Sequence, residues 1–211
     1  PRISKPRVRG SNPLGRAIKR GLMKVFTLSP SEFAFGFESC KKCYYDKIVN
    51  NLKYSSFFPP VFALLDICQK NYYQGKNSKS ISNSLDEGVV ITENSDKIIK
   101  SKILYDNKKR PFILRGKLDA YIKHKDFYSV VDFKTSNMSL DKAPMYSAQL
   151  HSYALILENP SEKKNILSPV KRLGLFCFSP NHVINHKEGT NTFKMKARWA
   201  EVVRNDKVFF Y

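Results

Sequence analysis

The chain has 211 residues, 42% of them apolar, enough for one domain with a proper core. Its 37 basic residues against 18 acidic ones give a net charge of +19. Such a field favours a polyanion, nucleic acid being the usual partner, although a lysine-rich solvated surface is the plain alternative. No apolar run approaches the ~20 residues of a membrane span. The basic N-terminus also lacks the apolar stretch of a secretory signal, so a soluble, cytoplasmic protein is expected. Cys40, Cys43, Cys68 and Cys177 are too few and too scattered for a disulfide framework and are expected to be reduced and mostly structural.

Residues 1–22 hold seven basic side chains (Arg2, Lys5, Arg7, Arg9, Arg16, Lys19, Arg20), no acid and no apolar periodicity, so disorder is expected there. The string Arg7-Val-Arg-Gly-Ser-Asn-Pro-Leu14 resembles the translated end of a transfer-RNA gene. The expectation is a reading frame begun too early, with Met23 as the start and residues 23–211 as one domain. A basic nucleic-acid-binding arm is the alternative.

Ser29-Pro-Ser-Glu32 has the pattern of a capped helix start, and Phe33, Phe37, Cys40, Tyr44 and Ile48 recur at helical spacing behind it. Cys40-Lys-Lys-Cys43 has metal-ligand spacing, but a zinc or cluster site needs four ligands and there is no second CxxC. After a loop over residues 50–60, Val61–Tyr73 predicts a second helix with Phe62, Leu65, Cys68, Gln69 and Tyr72 inward and Asp66 inside the apolar segment. Gly75–Glu87 is Ser/Asn/Lys-rich and predicts a loop. Weak strand character follows over Lys97–Tyr105, then a basic turn, Lys108-Lys-Arg110.

Phe112–Leu118 predicts a strand closed by Asp119. A polar turn at Lys123–Asp126 then leads to a second strand, Tyr128–Lys134. Side chains two apart on a strand share a face, so Asp132 and Lys134 lie on one side and Val131 and Phe133 on the other. Burying a carboxylate and an ammonium is costly unless they pair or hold a metal, which points to a site. Beyond the polar loop Thr135–Lys142, Pro144 suits the first turn of a helix running to Glu158. Gln149 and Tyr153, four apart, share one face of it, one turn from each other, and His151 is expected at the surface. Arg172–Phe178 predicts a buried strand, residues 181–189 a loop carrying His182 and His186, and Phe193–Val203 and Val208–Tyr211 late strands.

Taken in order, Gly116-Lys-Leu-Asp119, Val130-Val-Asp-Phe-Lys134 and Gln149-Leu-His-Ser-Tyr153 resemble the motif string of the PD-(D/E)XK nucleases. The resemblance spans roughly Ser29 to Phe178 and is closest to the RecB-like branch, which includes the exonucleases of CRISPR adaptation. It implies an α/β, restriction-endonuclease-like core, a central mixed β-sheet flanked by helices. It further implies Mg²⁺ or Mn²⁺ held by Asp119, Asp132 and the Phe133 carbonyl. Lys134 would orient or help deprotonate the attacking water, and Gln149 and Tyr153 would position a phosphate or a water at the metal. Many members carry a metal-binding histidine where Asp66 stands, which leaves Asp66 as a further oxygen ligand or an ordinary solvent-facing aspartate. Several hold an iron–sulfur cluster with three cysteines after the motifs; here only Cys177 follows, so no cluster is expected.

The function these readings imply is a Mg²⁺- or Mn²⁺-dependent DNA nuclease, exonuclease-like, in repair, recombination or defence. The alternative is a nucleic-acid-binding module on the same fold with weak or no turnover. An RNA-directed nuclease is a third possibility.

Overall fold

The computed structural model describes residues 24–52, 59–92, 97–137 and 140–207. In chain order the elements are β1 (Phe26–Leu28), α1 (Pro30–Ala34), α2 (Gly36–Ser39), α3 (Lys41–Val49), α4 (Pro60–Tyr73), β2 (Val89–Ile91), β3 (Ile99–Lys100) and β4 (Leu104–Tyr105). There follow β5 (Pro111–Gly116), β6 (Ala120–Lys123), β7 (Tyr128–Thr135), α5 (Ser147–Glu158), β8 (Val170–Lys187) and β9 (Thr190–Val202). A curled, mixed five-stranded sheet runs β2-β6-β7-β8-β9, and β1, β3, β4 and β5 form a smaller one. The fold is therefore α/β, a mixed sheet flanked by helices.

β7 and β8 are parallel, which requires a crossover, and α5 provides it. Hydrophobic alternation along β7 divides the core in two. Val130, on one face, packs with Leu173, Leu175, Leu150 and Ala154 around α5. Val131 and Phe133, on the other, pack with Ile122, Phe176 and Phe178, and Tyr73 of α4 closes over them. Phe176 is only 1% exposed and meets Tyr73 edge-on with ring centroids 5.2 Å apart. Burial of such a side chain stabilises by roughly 2–3 kcal/mol. α5 lies between the main sheet and the smaller one, and Gln149 to Ala154 are all buried, so it shows no single apolar stripe.

Several expectations change. The helix expected from Ser29 is three short ones, because Phe35 and Cys40 leave helical geometry. Ser29 makes no side-chain cap, and Phe37 is exposed rather than core. Cys40 and Cys43 stand as a disulfide with Cα atoms 5.3 Å apart, not as reduced thiols: Cys40 is the N-cap of α3, and its sulfur meets the first turn three residues on. Cys68 is exposed and Cys177 buried, both free.

On α4 the inward stripe is Phe62, Leu65, Asp66, Gln69, Lys70 and Tyr73, with Cys68 and Tyr72 outward. The expected face was rotated by about one residue, since sequence periodicity could not tell which of two adjacent apolar stripes meets a sheet. Residues 75–87 are a packed segment: Ile81 and Leu85 join the core, and Ser78 Oγ donates to the Asp86 carbonyl at 2.6 Å. The expected hairpin partner of β7 is also different. Phe112–Gly116 belongs to the smaller sheet, and β6, beginning after Asp119, pairs with β7.

Leu140–Tyr146, with Pro144 inside it, is 3-10, so α5 starts only at Ser147. His151 is fully buried, its Nε2 accepting from the Asn205 backbone N–H at 2.8 Å. Residues 181–187 continue β8, which pairs with β9 in a long hairpin where a loop was expected. Residues 1–22 and 208–211 lie outside the described residues. No helix among the described residues is long and apolar enough to cross a membrane.

Candidate active site

The register of β6 on β7 assembles the site. Ala120 pairs with Val131, so one further step puts Asp119 opposite Asp132, on the α5 face of the sheet. β6 has not yet begun there, and the Asp119 carboxylate takes the place of a strand: its Oδ2 accepts from the Phe133 N–H at 2.9 Å. In an extended strand a residue's C=O projects to the same edge as its N–H, so the Phe133 carbonyl is turned toward Asp119. The turn before Asp119 is held from α5. Tyr153 donates its hydroxyl to the Lys117 carbonyl at 2.5 Å. A Cβ on Gly116 would lie 3.2 Å from the Tyr153 ring and 3.0 Å from Pro30, so a larger residue here would push these neighbours back by a few tenths of an ångström.

Two residues along β7, Lys134 Nζ stands 2.5 Å from Asp132 Oδ2, an ion pair without aligned hydrogen-bond geometry. Its ammonium also lies 5.1 Å from the centre of the Tyr146 ring. From α5, Gln149 Nε2 donates to Asp132 Oδ1 at 3.2 Å, while the buried Gln149 Oε1 has no hydrogen-bond donor among the described residues. From α4, Lys70 Nζ bridges Asp66 Oδ2 at 2.7 Å and Asp119 Oδ1 at 3.1 Å. A cleft of about 710 Å³ opens beside Asp119, between β3, β6 and the end of α5, with Lys97, Lys100 and Lys164 in its lining.

Like charges directly opposite on a sheet repel, and Asp132 is only 2% exposed. Burial raises its pKa, Lys134 lowers it and Asp119 raises it again; the balance is a carboxyl pushed up to about 7. For Lys134 burial works against the charge, but the attraction of Asp132 outweighs it and the pKa is raised. Lys70 follows the same logic: burial opposes, and Asp119 and Asp66 together raise it. Burial also raises the pKa of the Tyr153 phenol, as do the nearby carboxylates.

Asp119, Asp132, Lys134, Gln149 and Tyr153 thus converge, although α5 and β7 are joined only through the 135–146 segment. The Tyr153 hydroxyl, expected to position a phosphate or a water at the metal, donates to the Lys117 carbonyl. Asp66 is neither free nor in direct contact with the aspartate pair; one ammonium separates it from Asp119. Lys70 was not singled out in the sequence. Its spacing of four from Asp66 on one helix face was the available signal, masked by the misplaced apolar stripe. His182 is exposed on β8 and far along the strand from Asp132.

Among the described residues no group of three or more His, Cys, Asp or Glu is arranged to hold a metal; the candidate donors are two carboxylates and a backbone carbonyl. No family model matches the chain, and no curated protein matches it. Among solved structures the chain is similar to SSO0001, known from its crystal structure, at 12% identity and a TM-score of 0.48, over 90% of this chain and 74% of that one.

Proposed function

We propose that the protein is a divalent-metal-dependent nuclease acting on DNA, and that Asp119, Asp132 and Lys134 form its centre. The observation that carries this reading is the opposed carboxylate pair, Asp132 buried and Asp119 partly exposed, with an ammonium two residues along the same strand face. Such an arrangement is costly in a structural core and suited to phosphodiester chemistry.

The donor set fits a hard cation. Mg²⁺ and Mn²⁺ prefer oxygen ligands, and Mg²⁺ needs few carboxylates. Burial, with Asp119 opposite it, pushes the Asp132 carboxyl up to about 7 even though Lys134 lies beside it, and a cation between the two carboxylates would relieve their repulsion. The residues that would hold the ion are Asp119, Asp132 and the Phe133 carbonyl, with Asp66 joining only if the Lys70 ammonium moves aside. When bound, a divalent ion neutralises phosphate charge and makes water a stronger nucleophile near neutral pH.

The chain's own groups supply the rest. Lys134 Nζ, 24% exposed at its side chain, orients the attacking water and balances the charge that develops on the phosphate. Gln149 steadies the Asp132 carboxylate and keeps Oε1 available to a donor. Tyr153 fixes the turn that presents Asp119, which makes it a positioning residue.

A second reading has its own support. Lys70 pairs with Asp119 and Lys134 with Asp132, so the two carboxylates have two ammonium partners without any added ion. A DNA-binding module that has lost turnover fits that balance. The deciding experiment uses labelled linear and circular DNA, single- and double-stranded, with Mg²⁺, Mn²⁺ or chelator, and wild type beside Lys134→Ala. Metal-dependent degradation by wild type alone supports the enzyme, and resistant circles support exonuclease action. Salt-sensitive binding with no metal-dependent loss of DNA supports the binding module; equal degradation by both proteins is contamination and ends the nuclease reading.

A further inference from the structure

The β8–β9 hairpin extends well past the site, and one face of it changes character along its length. On β9, Val202 and Ala200 are buried in the core around α5. The next residues on the same face, Arg198, Lys196 and Lys194, are all exposed. The opposite face stays apolar, with Trp199 and Met195 packed against the second core. Alternation thus places three cations in one row, and nothing in the fold's packing calls for them: among the described residues no ion pair joins Arg198, Lys196 or Lys194 to an acid.

The row is aligned with the site. Lys134 pairs with Cys177 on β8, and Cys177 pairs with Arg198 on β9; residues in register across a sheet share a face. Arg198 is close enough to Cys177 to act on its thiol electrostatically, as Lys134 and Asp132 also do. Lys196 stands opposite Ser179 and Lys194 opposite His182, so the cations lead outward from Lys134. Alternate residues of a strand recur every ~6.8 Å, comparable to the distance between successive phosphates of an extended DNA strand.

We propose that this face of the β8–β9 ribbon is a binding track for the phosphate backbone of DNA, carrying the strand away from the carboxylate pair through Arg198, Lys196 and Lys194. This rests on the nuclease reading for its substrate but is tested apart from it.

The test is binding in chelator, measured by fluorescence anisotropy of a labelled 30-nucleotide DNA strand over a range of salt. One variant carries Lys194→Glu, Lys196→Glu and Arg198→Glu. A charge-matched control carries Lys123→Glu, Lys125→Glu and Lys171→Glu, exposed residues at the other end of the sheet. A milder variant, with glutamine at 194, 196 and 198, guards against misfolding of the reversed one. The track predicts a loss of affinity of roughly tenfold or more at ~0.15 M salt for the ribbon variant, and under about threefold for the control. The salt slope should fall by ~2, the release of three phosphate contacts at ~0.7 each. Equal losses in both triple variants would show diffuse attraction by net charge and overturn the track, as would unchanged affinity in the two ribbon variants. Failure of wild type to cleave with metal would sink the nuclease reading and leave this result standing.

Discussion

α5 carries a charge cluster at each end, and the two are built on opposite principles. At its C-terminal end Arg204 meets Glu158 in a two-pronged pair at 2.8 and 2.7 Å and Asp206 at 2.8 Å, and it donates to the Val170 carbonyl as well. Glu158 also accepts the Val170 N–H at 2.8 Å. Planar, bidentate geometry of this kind is the strong form of an ion pair, and it pins the segment after β9 to the start of β8. Toward its N-terminal end Gln149 faces Asp132, where two carboxylates oppose each other, and a buried amide oxygen has no donor among the described residues. One cluster satisfies its members; the other keeps them in tension at the mouth of a basic surface. A buried carboxyl opposed by a second carboxylate is the kind of arrangement that a bound ligand can complete.

The sharpest way to break this contrast is Asp132→Asn, which preserves shape and removes the charge. Metal-dependent DNA cleavage should fall by about 10³-fold or more, while binding in chelator stays within about threefold; cleavage that persists would place Asp132 among structural residues. The same variant sharpens the contrast through pH. A carboxyl raised in the folded state binds its proton more tightly there than in the unfolded chain. Its stabilising contribution is therefore complete below the ordinary carboxylate value and is lost as pH rises through about 7. In chelator, wild type should lose stability relative to Asp132→Asn between pH 4 and pH 8, by on the order of 4 kcal/mol, measured by denaturant unfolding at each pH. A difference that does not change with pH would show that Asp132 titrates normally.

The satisfied cluster should respond to truncation in stability rather than chemistry. Arg204→Ala strands Glu158 and is expected to cost roughly 2–3 kcal/mol, with cleavage per folded molecule unchanged. The smallest effect is expected from Gln149→Met. It removes one hydrogen bond to Asp132 together with the undonated oxygen, so stability in chelator should move by no more than about 1 kcal/mol. Cleavage should nevertheless drop about tenfold or more. A large loss of stability would mean that Gln149 is a structural residue, like those around Arg204.

The short-range features of the chain were legible before any coordinates. The alternation in Tyr128–Lys134 put Asp132 and Lys134 on one face and Val131 and Phe133 on the other, and that is how β7 divides the two cores. The spacing of Gln149 and Tyr153 set both on one side of α5. The sequence is silent where the outcome depends on what an element meets. His151 looked like a surface residue because a polar residue in a helix gives no sign of being enclosed by two sheets. The inward face of α4 is not legible because Leu64, Ile67 and Tyr72 are as apolar as the residues that are covered, yet all three are exposed. Residues 181–187 looked like a loop because their Asn and His residues pair along a hairpin that stands away from the core.

Periodicity by itself determined the local geometry: which neighbours share a face, where glycine and proline interrupt an element, and that two aspartates and a lysine lie close together in the chain. The tertiary structure alone decided that β6, not the run before Asp119, pairs with β7. That register sets Asp119 opposite Asp132, and the packing of α4 brings in Lys70. The physical reason is that alternation and helical spacing act over a few residues, whereas strand pairing and burial are settled by competition among distant segments for the same sheet edges and the same core.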